Sequence, residues 1–439
     1  MKIRIIAFLL AAVITCASIC SCTYDFSNHA VALASDPIEL RNLDYDREGY
    51  NEFKEKLVEF SAALTDKIYK EYGQNENIVI SPISIYMALA LACECANGET
   101  RQEILDAVGV TYEEVSNFTK ILYAYANVDY NAYTLAATKQ VVAYQELTNS
   151  IWLDDSVPFV EDGVNKLASE YNCDVFKASF KNGDAEKLIN RYIKEKSRGL
   201  LEGDVDFSPE TYFVLMNTYY LKEIWNEWGK DLKFTDSKYN FTNNDGSIKS
   251  EKLLIGYYQD GKAYEGEGFT SFFTDTDHGF SIYFFVPDDG YSVNDIFDTE
   301  NISTVLQLKN WGAVDDENMQ YHYTRVLFPE FEADFSQDIE SVLNKDFGIR
   351  KLFDKNECDM SNVSVDPVYC EGVIHKASLK VDKSGIEGAA VTIMPAAGAS
   401  GPPPYEKVYH DYAVDRAFGF VITDSYGTVV FSGIINSIN

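Results

Sequence analysis

The stretch that decides the fold is VIHKASLKVDKSGIEGAA, from Val373 to Ala390. It leads into a region, Gly385–Pro404, with no Lys, Arg, His, Asp or aromatic residue and only one charge, Glu387, in a chain that is 24% charged. The region begins with the pattern of a β-strand and ends in a run of prolines. Small or apolar side chains without an early proline are what a strand needs to enter the middle of a sheet.

Alternation assigns the side chains of this segment to two faces of a strand. One face is uncharged and can lie against a core, whereas the other carries the single charge and is expected to face water. The first face comprises Ile386, Gly388, Ala390, Thr392 and Met394, and the second comprises Glu387, Ala389, Val391 and Ile393.

The composition excludes several function classes. The chain has 439 residues, 46% of them hydrophobic, which is enough for a large core. Its 37 basic and 69 acidic side chains give a formal net charge of −32. Phosphate binding needs clustered Lys and Arg, so neither nucleic acid nor an anionic membrane surface is expected as a partner. The acidic excess is more typical of a solubility feature than of a metal site.

The N-terminus has the pattern of a targeting segment. Lys2 and Arg4 precede an apolar run, Ile5–Ile19, that is too short for a membrane span. The following residues, up to Cys22, resemble a bacterial lipobox, which implies cleavage before Cys22 and lipidation of its thiol. The alternative is an ordinary secretory signal. Either pattern predicts a protein outside the cell, lipid-anchored at the surface or secreted.

The chain divides into three predicted segments: a signal peptide of the lipoprotein type over residues 1–21, a polar tether over 22–45 and a single domain over 46–439. Helical spacing dominates the first part of this domain and apolar strands the last, which predicts one α+β domain. Five cysteines remain in it, an odd number at uneven spacing that favours buried free thiols over a disulfide framework. They are Cys93, Cys95, Cys173, Cys358 and Cys370.

The motifs of common enzyme classes are absent from the sequence. There is no G-x-S-x-G, H-E-x-x-H, P-loop or G-x-G-x-x-G pattern. The segment DTDHG, Asp275–Gly279, faintly resembles a calcium loop but lacks the third ligand and the terminal Glu, so a solvated turn is predicted. We therefore expect no enzymatic activity, no cofactor and no metal.

Several separated segments, taken together, resemble the serpin family. ENIVISPISIYMALALACECANGETRQEI (Glu76–Ile104) is similar to the family's N-x-V-x-S-P-x-S helix start. VLMNTYYLKEIW (Val214–Trp225) is similar to N-A-x-Y-F-K-x-x-W, with Thr218 in place of Ala. The opening stretch resembles the hinge motif H-K-A…E-x-G-T-E-A-A-A. The remaining segments are TNSIWL, LFPEFE, GIRKLF and DRAFGFVI…FSGIIN, and all follow the family's order from about residue 55 to residue 439.

The resemblance implies an α+β serpin fold with three β-sheets (A, B and C), about eight to nine helices and an exposed reactive loop at about residues 385–405. It also implies a suicide inhibitor, in which a serine protease cuts the loop, becomes covalently attached, and is trapped when the loop inserts into sheet A, as serpins are known to do. The expected partner is therefore a target serine protease, and the expected state is a monomer. No heparin-type activator is expected, because only Lys120 and Lys139 lie between Phe118 and Thr148.

The resemblance places the hinge of the reactive loop at Gly385 and the five residues after it. Two residues depart from the family pattern: Ile386 stands where inhibitory serpins usually have Thr or Ser, and Lys383 stands where Glu is usual. A non-inhibitory serpin that acts as a surface binding protein is therefore the alternative. The hinge comprises Gly385, Ile386, Glu387, Gly388, Ala389 and Ala390.

The family's usual count from the hinge places the cleaved bond at Ala399–Ser400, with Ala397–Gly398 as the second candidate. Counting back from the C-terminal motif gives a site near Glu406, and we prefer the hinge count because the inserted strand must fit a sheet of fixed length. No Lys or Arg lies between Lys383 and Lys407. Small residues at the cleaved bond fit the narrow pocket of elastase-like proteases and some subtilisin-like ones.

The resemblance also assigns residues to the shutter, where hydrogen bonds hold strands of sheet A that must part. Alone, each of these residues would be read as a helix cap or a buried polar group. Trp225 is expected to pack where the loop enters the sheet, at the breach. The shutter residues are Ser81, Ser84, Asn149, Asn217 and His375.

Overall fold

The computed structural model describes residues 24–34, 44–73, 76–127, 144–225, 231–259, 263–308, 321–387 and 407–438. Within these ranges the chain forms nine α-helices and eighteen strands, which confirms the predicted α+β class. The helices are α1 (Arg47–Tyr72), α2 (Pro82–Cys95), α3 (Gly98–Val108), α4 (Tyr112–Tyr125), α5 (Glu161–Glu170), α6 (Asp184–Lys196), α7 (Val293–Ile296), α8 (Thr299–Leu306) and α9 (Glu340–Lys345).

The strands fall into three main sheets, as the resemblance implies, and one small hairpin. The first nine strands are β1 (Ala30–Ala32), β2 (Ile78–Ile80), β3 (Tyr144–Leu153), β4 (Cys173–Lys177), β5 (Phe213–Ile224), β6 (Tyr239–Thr242), β7 (Ile248–Glu251), β8 (Leu254–Gln259) and β9 (Tyr264–Gly266). The others are β10 (Phe269–Asp275), β11 (Ser281–Pro287), β12 (Tyr321–Phe328), β13 (Phe331–Asp338), β14 (Ile374–Asp382), β15 (Gly385–Ile386), β16 (Lys407–Ala413), β17 (Phe418–Thr423) and β18 (Val429–Ile435).

Sheet A has seven strands in the order β1-β4-β3-β5-β15-β14-β13, and it carries the hinge at β15. Sheet B has six strands in the order β2-β18-β17-β11-β10-β9, and sheet C has the order β16-β12-β8. The hairpin β6-β7 is separate from these sheets in the described residues. The hinge therefore lies inside the largest sheet rather than at its edge.

Helix α2 lies at the centre of the molecule, because almost every one of its residues is buried. Pro82 occupies its first turn, where a missing N–H costs nothing, and Ser81 is the N-cap residue. Helix α2 packs against β5 of sheet A and β18 of sheet B, and the main core joins both sheets to α1 and α2. The N-terminus of α2 is thereby held beneath sheet A.

The residues before α1 differ from the predicted polar tether. Within the tether segment, residues 24–34 contain a short 3-10 helix, Phe26–His29, and strand β1, which pairs with the edge strand β4. Phe26 packs against Tyr192, Phe176 and Trp152, with ring centroids 5.3, 5.9 and 6.3 Å away. We call residues 24–34 the strap, since they bind sheet A to α6.

All five domain cysteines are free thiols, as expected. Four of them are buried as predicted, whereas Cys358 is half-buried. Burial raises the pKa of the Cys95 and Cys173 thiols well above the ordinary value. No helix among the described residues is long and apolar enough to cross a membrane. The predicted signal peptide and Cys22 lie outside the described residues.

Candidate functional site

The hinge begins as a strand inside sheet A. Gly385 and Ile386 pair antiparallel with Asp382 and Val381 of β14 on one side. On the other side they pair antiparallel with Ile224 and Glu223 of β5. Gly385 is required here, because a Cβ atom at this position would lie 1.9 Å from the carbonyl oxygen of Glu223. The start of the hinge is therefore already inserted between β5 and β14.

Beyond β15, the described parts of β5 and β14 are not hydrogen-bonded neighbours. The space between them, which we call the gap, includes a cavity of about 240 Å³ beneath α6. Met216 of β5 and Ile374 and Lys376 of β14 line this cavity, and Ile374 is 44% exposed although it lies in a sheet. Among the described residues, β5 and β14 of sheet A are therefore joined through β15 alone and are unpaired beyond it.

Glu387 continues the pairing, because its backbone N–H donates to the Lys380 carbonyl oxygen at 2.8 Å. Its side chain corrects the expectation that it faces water. The Oε2 atom lies 2.8 Å from Lys222 Nζ, the Tyr220 hydroxyl donates to Oε1, and the side chain is only 7% exposed. Alternation gave the correct face, since Ile386 is fully buried on the other side, but Tyr220 and Lys222 cover the face of Glu387.

Burial raises the pKa of Tyr220, and the hydrogen bond to Glu387 raises it further. The phenol therefore remains a donor to the carboxylate at ordinary pH. Neither Tyr220 nor Lys222 was predicted as a site residue, although both stand in the matched segment Val214–Trp225.

Several predicted site residues lie outside the described part of the chain. They are Gly388, Ala389 and Ala390 of the hinge, both candidate cleavage bonds, Ala399–Ser400 and Ala397–Gly398, and the lipidation site Cys22.

Three of the predicted shutter residues form a chain of hydrogen bonds on the β5 side of the gap. The Ser84 hydroxyl donates to Asn217 Oδ1. Asn217 Nδ2 donates to Asn149 Oδ1 at 2.6 Å and to the Thr148 carbonyl at 3.0 Å. Asn149 Nδ2 then donates to the Tyr171 carbonyl at 2.9 Å. This chain fixes α2 to β3 and β5.

The other two shutter residues form a contact on the β14 side. The backbone N–H of Ser81 donates to His375 Nε2 at 3.0 Å, so the ring accepts at this nitrogen and is neutral. Burial lowers the pKa of His375 from 6.5 to about 3, which agrees with a neutral ring. The Ser81 hydroxyl makes no hydrogen bond within the described residues. The first turn of α2 therefore contacts both sides of the gap, through Ser81 and Ser84.

Trp225 lies at the end of β5 where the hinge enters sheet A. Its side chain is buried, its Nε1–H donates to the Asp382 carbonyl at 2.7 Å, and its ring packs 5.4 Å from Phe328. Lys383 is held nearby, with Nζ 2.7 Å from Asp231 Oδ2. Lys383 is the first residue of the two-residue turn that joins β14 to β15, and Trp225 bonds to the residue before this turn.

The turn between β10 and β11 is only partly the solvated turn that the sequence predicts, since Asp277 and Gly279 are exposed but the rest is not. Its residue Thr276 is 1% exposed, and His278 Nδ1 lies 2.7 Å from Oε1 of the buried Glu223. Sequence reasoning missed this contact because Glu223 and His278 lie 55 residues apart on different sheets. No group of three or more His, Cys, Asp or Glu in the described ranges could hold a metal ion.

Comparison with known families gives one match over most of the chain. A family model described as "Serpin (serine protease inhibitor)" matches residues 55–438. Neuroserpin of Homo sapiens is 24% identical over 395 residues, which cover 87% of this chain and 90% of neuroserpin. The leukocyte elastase inhibitor of Bos taurus is 26% identical over 388 residues, which cover 84% of this chain and 94% of the inhibitor.

Solved structures share the same fold. The thermophilic serpin Tengpin in its native state superposes with a TM-score of 0.68 at 22% identity, over 93% of this chain and 100% of Tengpin. Thyroxine-binding globulin in complex with thyroxine superposes with a TM-score of 0.65 at 20% identity, over 88% of this chain and 99% of the globulin.

Proposed function

The chain belongs to the serpin family, and on that premise we propose that it is a suicide inhibitor of serine proteases. A protease would cut the reactive loop and become attached to it as an acyl-enzyme. The loop would then insert between β5 and β14 and carry the protease away before water releases the acyl bond. The observation that carries this proposal is that Gly385–Ile386 pairs with both strands while the gap below separates them.

The register of the hinge supports insertion of a strand of definite length. If antiparallel pairing continues from Gly385–Ile224, Ile393 reaches Ile374, the first residue of β14, and Ala396 reaches Phe213, the first residue of β5. The first proline of the loop, Pro395, then lies beyond the end of β14. Its lack of a backbone N–H therefore removes no hydrogen bond between the inserted strand and β14. The sequence of the loop thus fits the length of the gap.

The same register supports cleavage at Ala399–Ser400. A strand that ends at Ala396 leaves a short linker to Ala399, so an attached protease would be carried past the end of sheet A. The residues from Ile386 to Ala399 span roughly 46 Å at about 3.3 Å per residue. Each new backbone hydrogen bond adds about 1 kcal/mol net, which favours the inserted state.

We propose elastase-like or subtilisin-like proteases as the target class. The loop offers Ala at both candidate bonds and no cation for an acidic specificity pocket. The bovine relative that is named a leukocyte elastase inhibitor is in keeping with this class.

A second candidate function is that of a non-inhibitory serpin that binds a ligand or partner at its surface. The fold is shared with thyroxine-binding globulin, whose structure holds thyroxine. Ile386 at the hinge also departs from the usual residue of inhibitory serpins. Against this candidate, Ile386 is fully buried in sheet A, so its size does not keep the hinge out.

Titration of neutrophil elastase and of subtilisin tests the proposal. We expect an SDS-stable complex with at least one of them and release of a C-terminal fragment that begins at Ser400 by mass spectrometry. Ile386→Arg places a cation in the buried hinge position, so this variant should be cleaved without a complex. Ile248→Arg is the matched control, because Ile248 is exposed on the hairpin β6-β7. This variant should inhibit like the wild type. Cleavage of the wild type without any complex would favour the non-inhibitory function.

A further inference from the structure

We infer that Glu223 and His278 are positioning residues, which hold the end of β5 in the place where the hinge must pair. The inference rests on the proposed inhibitory function, and it assigns a role to two residues outside the hinge and the shutter. We call their contact the clamp. It joins the C-terminal end of β5 in sheet A to the turn Asp275–Phe280, between β10 and β11 of sheet B.

The Glu223 carboxylate is fully buried and accepts three hydrogen bonds from this turn. His278 Nδ1 lies 2.7 Å from Oε1. Thr276 Oγ1 donates to Oε2 at 2.6 Å, and the His278 backbone N–H donates to Oε2 at 3.2 Å. Because burial of a carboxylate without donors is strongly unfavourable, the folded chain must keep these donors in place.

Backbone contacts fix the same end of β5 to the same turn. Asp277 N–H donates to the Ile224 carbonyl at 2.9 Å, and Trp225 forms a β-bridge with Thr276. The position of β5 relative to sheet B is therefore set by side chain and backbone together. On the opposite face of β5, Lys222 forms the ion pair with Glu387.

Glu223 is also the residue that pairs with Ile386. Its carbonyl oxygen approaches Gly385 so closely that a Cβ atom would not fit. The clamp thus acts on the hinge through the backbone of Glu223. A shift of one residue in this first pairing would reverse the faces of every later residue in the inserted strand. The position of Glu223 consequently controls the rate at which the loop inserts in the correct register. This insertion competes with hydrolysis of the acyl bond.

The clamp is sensitive to pH. Among the described residues, the charged groups that act on His278 are Glu223 from β5 and Asp277 beside it in the turn. Burial lowers the pKa of His278, but the hydrogen bond and charge of Glu223 outweigh it and raise the pKa above 6.5. The charged clamp is therefore complete below pH 6.5 and weakens as the pH rises through the raised pKa.

Inhibition kinetics of two variants test the inference with the full chain. His278→Gln keeps a donor but removes the charge, and Glu223→Gln keeps the shape of the side chain. We expect the association rate with the protease to stay unchanged, because neither residue belongs to the predicted reactive loop. The fraction of cleavages that end in a stable complex should fall by about tenfold, the equivalent of one charge-assisted hydrogen bond. The wild-type fraction should decrease from pH 6.5 to pH 8.5, and the His278→Gln fraction should not.

Two controls test whether the loss of any histidine or of any ion pair has the same effect. His29→Gln removes a histidine on the strap, and Asp289→Asn removes an exposed ion pair with Arg416. Both should inhibit like the wild type with an unchanged pH profile.

Hydrogen exchange at the Glu387 amide gives a readout that needs no protease. This amide donates to Lys380, and after correction for intrinsic exchange it should exchange about tenfold faster in both variants than in either control. If the wild type forms no complex, the proposed inhibitory function is wrong. Hydrogen exchange at the Glu387 amide then tests by itself whether Glu223 and His278 position the hinge. Normal complex yields in both variants, or unchanged Glu387 exchange, would overturn the inference.

Discussion

Lys222 Nζ and Glu387 Oε2 lie 2.8 Å apart and join β5 to the first residue after β15. Both side chains are largely buried, so removing one partner leaves an uncompensated charge. Lys222→Met should lower the free energy of unfolding by about 3 kcal/mol. The double variant Lys222→Met/Glu387→Gln should regain part of this loss, since no lone charge remains. Urea unfolding of both single variants and the double variant measures the coupling, and strictly additive losses would show that the two residues do not interact.

His375 should make the native state sensitive to acid. Its pKa is about 3 in the folded chain against 6.5 in an ordinary histidine, so the folded state holds the neutral ring. The stability that this ring contributes is complete above pH 6.5 and is lost as the pH falls toward 3. At about pH 5.5 the loss should be roughly 1.4 kcal/mol. His375→Gln, whose amide oxygen can accept the Ser81 N–H, should make the free energy of unfolding in urea less dependent on pH between pH 7 and pH 5.5. His29→Gln should keep the pH dependence of the wild type.

Phe26 should stabilise the domain through the strap. Its half-buried ring contacts Trp152, Phe176 and Tyr192, which lie on β3, β4 and α6. Phe26→Ala should therefore cost about 1–2 kcal/mol of unfolding free energy. Leu33→Ala is the matched control, because Leu33 lies at the end of the strap and is 52% exposed. Equal stability of the two variants would mean that the strap does not support sheet A.

Thr392 should meet the shutter after insertion. The register places it between Asn217 and His375, and it is the one hydroxyl on the core face of the loop. Thr392→Val keeps the shape but removes this group, which should lower the stability of the loop-cleaved protein by about 1 kcal/mol and leave the intact protein unchanged. Thr392→Ser should behave like the wild type. A loss that is equal before and after cleavage would contradict this register.

The sequence predicts those parts of the site in which a single residue has a strict local role. Gly385 is recognisable from its place in the hinge motif, and the structure adds the reason, since no side chain fits against the Glu223 carbonyl. Asn217 and Trp225 stand in one short motif that forms β5 and its end. Alternation predicts the buried face of Ile386 from the period of a strand alone. These features depend on the residue and its immediate neighbours.

The rest depends on strands that are distant in sequence. The sequence cannot show that Tyr220 and Lys222 cover Glu387, because these residues meet only when β15 enters sheet A. In the same way, His278 looks like part of a polar turn until the fold places Glu223 beside it. The sequence does not reveal the strap because its few apolar residues show no period, and its anchors, the Phe26 ring and the pairing of β1 with β4, depend on distant residues.

The central claim is that the cleaved loop becomes a strand between β5 and β14. Calorimetric unfolding of the intact and loop-cleaved protein tests it most directly, with Ile386→Arg as the variant that blocks insertion. About ten new hydrogen bonds of about 1 kcal/mol each should raise the wild-type midpoint by more than about 10 °C on cleavage. The Ile386→Arg midpoint should not rise. An unchanged midpoint in the cleaved wild type would contradict the account.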